Sequence, residues 1–160
     1  MEEQPDWLPS IVCVSPWNDQ TFNILYEIFE RDFKQTKPVY RGGIVWFFPE
    51  MEDGKEKIFW HLTHKKDNKT GVRLPDLRRS ERLPWVRKMI DHSYEPEVTA
   101  WDYKEGGKHG IKTYVWLKKY DFLVIMKKYP NGTRRLITSY YVDFPNTRRK
   151  LERKYSRRIN

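Results

Sequence analysis

The 160-residue sequence is nearly devoid of cysteine. Its single thiol, Cys13, excludes an internal disulfide and any zinc site built from several cysteines. Within the apolar run S10-I-V-C-V-S15, that thiol is expected to be buried and inert. Long hydrophobic runs are also missing. No window approaches the roughly 18 apolar residues of a membrane span, so no membrane partner is expected. Positive charge is absent from residues 1–30, which hold six acidic side chains and no Lys or Arg. That excludes the basic start of a secretory signal, and the expected location is the reducing cytoplasm. There is no Walker-type phosphate loop and no G-x-S-x-G elbow. The histidines (His61, His64, His92, His109) are not clustered at metal spacing, so neither a metal nor another cofactor is expected.

What the chain does have is aromatic mass and a basic end. Apolar residues make up 38% and aromatics 16% of the sequence, enough for a core built around a few large rings. A chain of this length buries roughly 70% of the surface its unfolded state exposes, so one domain without staples is expected. The net charge is +9, and residues 121–160 carry eleven Lys or Arg against three acids, or +8. That asymmetry points to a polyanion-binding end, and the expected partner is RNA, with tRNA one candidate.

Along the chain, residues 1–15 read as a lead-in and 16–145 as an α+β core. Residues 146–160 (N146-T-R-R-K-L-E-R-K-Y-S-R-R158 and beyond) read as a basic helix or tail. Ser15-Pro16 resembles a helix start, and Phe22, Leu25, Tyr26, Phe29 and Phe33 fall on one helical face. V39-Y-R-G-G-I-V-W-F-F-P49 reads as a strand with a glycine bend, and K57-I-F-W-H-L-T-H64 as another strand. Residues 77–91 read as helix interrupted at Pro84. Strands follow at about 97–104, 111–119 and 121–128. The turn Y129-P-N-G-T133 then closes a hairpin into R134-R-L-I-T-S-Y-Y-V-D143. The expected fold is N-terminal helices packed on an antiparallel sheet of about four strands.

Three groups of side chains could serve phosphodiester chemistry. His61 follows two rings in F59-W-H-L62 and has a side chain that titrates near neutrality. Arg73, Arg78, Arg79, Arg82 and Arg87 form a guanidinium cluster matched to phosphate oxygens. Strict alternation along residues 134–142 puts Thr138 and Tyr140 on one face with Arg134 and Leu136. On a strand, His61 and His64 would face opposite ways.

The order F59-W-H-L-T63, D76-L-R-R-S-E-R-L-P-W-V-R87, Y120-D-F-L-V-I-M-K127 and L136-I-T-S-Y-Y141 resembles the phage-associated branch of the barnase–EndoU–colicin–RelE-like (BECR fold) nucleases. The resemblance implies a metal-independent endoribonuclease that cleaves by 2′-hydroxyl attack and leaves a 2′,3′-cyclic phosphate. It further implies a toxin or phage-conflict effector restrained by an acidic antitoxin or immunity protein. The catalytic set it implies is His61, Arg79, Arg82, Thr138 and Tyr140. Arg78, Arg87, Arg134, Arg148, Arg149 and Lys150 would hold RNA. The alternative is a non-catalytic RNA-binding module that uses the same basic and aromatic surface.

Overall fold

The computed structural model describes residues 4–160. Helix α1 spans Asp19–Phe29 and starts later than Ser15-Pro16 would place it, because the Asn18 side chain accepts the Thr21 N–H at 2.9 Å and caps the first turn. Leu25 and Phe29 are fully buried, and a wider π turn at Glu30–Gln35 carries Phe33 into the same core. Two short strands follow, β1 (Val39–Tyr40) and β2 (Gly43–Trp46). A small hairpin, β3 (Met51–Glu52) and β4 (Lys55–Glu56), leads into α2 (Lys57–Thr63).

Residues 57–63 are therefore helical, where the β-branched and aromatic content predicts a strand. Ile58, Phe59 and Leu62 are all buried at helical spacing, and that burial outweighs local strand preference. Strands β5 (His64–Lys66) and β6 (Arg73–Pro75) form a second hairpin. Helices α3 (Leu77–Glu81) and α4 (Leu83–Asp91) meet at Pro84, which sits in the first turn of α4, where its missing N–H has no cost. A meander of β7 (Thr99–Lys104), β8 (Ile111–Leu117), β9 (Phe122–Lys128) and β10 (Arg134–Tyr141) precedes α5 (Pro145–Ser156).

The main sheet has six strands in the order β1-β2-β10-β9-β8-β7. Its four antiparallel C-terminal strands match the expected meander. The sheet is extended because β2 pairs in parallel with the start of β10, Arg134 opposite Val45 and Arg135 opposite Trp46. Gly43 allows this approach, since a Cβ there would lie 2.1 Å from the Gly132 carbonyl oxygen in the β9–β10 turn. One sheet face, through Val115, Phe122, Val124 and Leu136, packs on α1, α2 and α4. The opposite face, through Trp101, Tyr114, Trp116 and Leu123, is covered by Leu151 of α5. The arrangement is α+β, and the C-terminal basic segment is a docked helix.

The lead-in is part of this structure. Leu8 and Val14 are buried, the Val12 N–H donates to the Glu81 carbonyl at 2.8 Å, and Trp85 Nε1 donates to the Pro9 carbonyl at 2.8 Å. Cys13 is exposed, contrary to expectation, because its neighbours Val12 and Val14 take the inward positions. Among the described residues, no helix is long and apolar enough to cross a membrane.

Candidate functional site: a compartmented basic groove

Strand β10 departs from strict alternation. Leu136 lies opposite Met126, but Thr138, and not Ile137, lies opposite Ile125. This bulge inserts one residue and exchanges the faces beyond it. Arg134, Leu136, Ser139 and Tyr141 therefore share the helix-covered face, whereas Arg135, Thr138 and Tyr140 share the other. Thr138 and Tyr140 remain together, as expected, but are separated from Arg134 and Leu136.

Among the described residues no strand pairs with this edge of β10 beyond Arg135, and α2 and α3 lie against it instead. The junction draws three chain segments together at one atom. The His61 carbonyl, unpaired in the last turn of α2, accepts Arg79 Nη1–H at 2.7 Å and the Thr138 hydroxyl at 3.2 Å. Arg79 is held in turn by Asp76, whose carboxylate lies 3.5 Å from its Nε. Burial lowers the Arg79 pKa and raises that of Tyr140, while each lies within the other's field. Four of the five expected catalytic residues, His61, Arg79, Thr138 and Tyr140, thus lie in one region of the molecule.

Around that junction run three connected depressions. The first, about 500 Å³, is bounded by Phe48, Ile58, Ile137 and Thr138, with Lys57 and His61 on its far wall. Phe48 is half exposed, and the Arg135 guanidinium lies 4.3 Å from its ring centroid. The second, about 330 Å³, shares Lys57 and His61 with the first and adds His64. It sets five cations (Lys57, Lys65, Lys66, Arg73, Arg79) against the single acid Glu52, which already pairs with Arg73. The third, about 250 Å³, shares Lys65 and Arg79 with the second. Tyr140 borders this third depression and not the first two.

Comparison with known proteins returns no matching family model, no matching curated protein and no matching solved structure. The chemistry of the groove must therefore be read from its own residues.

Both imidazoles of the second depression are biased toward the neutral form. His61 is exposed, yet the protein around it, then Lys57 and Arg79, lowers its pKa below the ordinary value. His64 is buried among Trp17, Phe22 and Trp60 and is pushed down to about 4 by desolvation, with Arg73 and Arg79 adding to the effect. The Thr63 hydroxyl lies 2.8 Å from the Phe59 carbonyl oxygen and 2.7 Å from His64 Nδ1, and so ties the imidazole to the last turn of α2.

Several residues expected at the site lie elsewhere. Arg82 donates to the Arg78 carbonyl at 3.0 Å, pairs with Glu81 at 2.6 Å and lies over the rings of Trp85 and Tyr141, away from the three depressions. Arg78 pairs with Asp143 at 3.0 Å and covers Tyr141. Arg87 ties α4 to the π turn through the Asp32 carbonyl at 2.6 Å. Arg134 is buried against Asp102 and Thr113, with Tyr40 beneath it. Arg148 pairs with Asp121, whereas Arg149 and Lys150 are exposed on α5. Arg73, a member of the expected guanidinium cluster, and His64 do border the groove, and Phe48, Lys57, Lys65 and Lys66 border it without having been singled out. Reading 57–63 as a helix would have flagged Lys57 and His61, four apart on one face.

Proposed function

We propose that this protein is a metal-independent endoribonuclease, with the groove beside α2 as its active site. The observation that carries the reading is the shared wall. His61 and Lys57 stand between a depression of mixed lining, whose Phe48 ring and Ile58, Leu136 and Ile137 side chains suit a nucleobase beside the charged Glu50 and Arg135, and a strongly cationic one suited to a phosphodiester. The resemblance of four chain segments to the BECR-fold nucleases supports the same chemistry.

A neutral His61 at pH 7 accepts the proton of the ribose 2′-hydroxyl, whose oxygen attacks the adjacent phosphorus. Arg79 and Lys57 stabilise the negative charge that develops on the phosphorane oxygens. The bond to the 5′-oxygen breaks, and that oxygen takes a proton from the Lys57 ammonium. The products are a 2′,3′-cyclic phosphate and a 5′-hydroxyl. His61 then loses its proton to water and Lys57 regains one. His64, in the lining of the same depression, helps to orient the bound nucleotide.

The test is incubation of the purified protein with labelled RNA in EDTA, with the end groups identified by mass spectrometry. Cyclic-phosphate ends should appear, and His61→Ala should slow their formation by roughly two to four orders of magnitude. Cleavage that requires a divalent ion, or that is indifferent to His61, would overturn the proposal. The second reading, a non-catalytic RNA-binding module, draws on the engagement of Arg79 and Thr138 with the His61 carbonyl, a structural task. It predicts salt-dependent RNA binding with no cleavage under any of these conditions.

A further inference from the structure

The third depression differs from the second in charge and lining. Its charged lining is Lys65 and Arg79 with Asp76 and Asp143, the last paired with Arg78 at 3.0 Å, and its remaining walls are Tyr140, Tyr141, Phe144 and Thr147, with Arg78 and Arg82 over the Tyr141 ring. Two cations line it against five in the second depression, and a flat, neutral group finds the Phe144 ring and hydroxyl partners there. Phe144 precedes the first turn of α5 and is 68% exposed. A large ring held in water by a structured helix start is an available stacking platform. Lys65 and Arg79 form the wall between this depression and the cationic one, as Lys57 and His61 do on the other side.

Resting on the reading of the groove as an RNA site, we propose that the third depression is a nucleoside subsite for the residue on the leaving-group side of the bound phosphodiester, with Phe144 as its stacking ring. The groove then reads base, phosphate, base: Phe48 beneath the upstream base, the cationic depression around the phosphate, and Phe144 beneath the downstream base. The preferred substrate is an unpaired strand, because bases committed to a duplex cannot lie on either ring. Phe144 contributes binding and orientation of the leaving group and takes no part in proton transfer.

The experiment uses the full chain and two uncleavable probes of equal charge in calorimetric titrations. One is 2′-deoxyadenosine 3′-methylphosphate, which has no downstream nucleoside. The other is 2′-deoxyadenylyl-(3′→5′)-adenosine, which has one. Stacking of the second base should make the dinucleotide bind about tenfold more tightly to the wild type. Phe144→Ala should bring the two probes to within about twofold of each other, Phe144→Trp should keep the gain, and Phe48→Ala should weaken both probes alike. The exposed Phe144 side chain can be changed without disturbing the core, which an unchanged melting curve would verify. A tenfold gain that survives Phe144→Ala, or a wild type indifferent to the second nucleoside, would refute the subsite even if RNA cleavage in EDTA is observed. If neither probe binds, the groove is not an RNA site and the subsite falls with it.

Discussion

The buried His64 should leave a measurable signature in the pH dependence of stability. Its folded pKa is about 4, against roughly 6.5 for an unperturbed imidazole. The unfolded chain therefore takes up a proton between these values and the folded chain does not. Stability from this group is complete above pH 6.5 and is lost as pH falls toward 4. A displacement of that size corresponds to about 2 kcal/mol lost by pH 5 and about 3 kcal/mol by pH 4, relative to pH 7.5. The matched perturbation is His64→Phe, which keeps a ring inside the Trp17, Phe22 and Trp60 cage and leaves the Thr63 hydroxyl bonded to the Phe59 carbonyl. Urea unfolding of both proteins from pH 7.5 to 4 supplies the assay. Other groups titrate in both proteins, so the difference between the two curves isolates His64. The wild type should lose stability relative to His64→Phe as the pH falls. Parallel curves, or a difference of opposite sign, would refute the assignment of His64 as neutral in the folded protein.

Arg134→Ala should cost about 3 kcal/mol in chemical denaturation, because it strips the nearest cation from the buried carboxylate of Asp102 and leaves it the Thr113 hydroxyl and Lys128, whereas Lys150→Ala on the exposed face of α5 should stay within about 0.5 kcal/mol. Arg79→Ala should lower stability by about 1–2 kcal/mol by uncapping the α2 carbonyl, and it should reduce single-turnover cleavage further than it reduces RNA affinity. Combined Arg149→Ala and Lys150→Ala should weaken RNA binding and flatten its salt dependence while leaving the cleavage step at saturation unchanged, as checked by titration at several ionic strengths beside single-turnover kinetics.

Much of the architecture is legible in the residues. The apolar spacing of Leu25, Phe29 and Phe33, the Asn131-Gly132 turn and the strands around it, and the interruption at Pro84 all lead to elements found in the structure. What escapes notice depends on partners distant in sequence. Residues 57–63 carry strand-forming side chains, and only the fit of Ile58, Phe59 and Leu62 into the shared core makes them helical. The β10 bulge has no glycine or other local marker, so simple alternation places Thr138 and Tyr140 with the wrong neighbours. The convergence of His61, Arg79 and Thr138 is foreseeable as chemistry. Its focus, one main-chain carbonyl, is not, because sequence patterns describe side chains and say nothing of which backbone acceptors a helix end leaves open. Arg82 and Arg134 mislead for a related reason: an arginine cluster reads identically whether it awaits phosphate or neutralises internal acids and rings.

The pairing of β2 with β10 has a consequence for the order of events during synthesis. Val45 and Trp46 wait for Arg134 and Arg135, and the His61 carbonyl waits for Thr138, a separation of 77 residues. On a translating ribosome, α1, α2 and α4 emerge well before the strand that completes their sheet. At about 5–20 residues per second, several seconds pass in which these helices have no β10 to pack against. The groove beside α2 therefore has no complete wall in the nascent chain. Whatever this surface does, it becomes able to do only once β10 has been made and has docked.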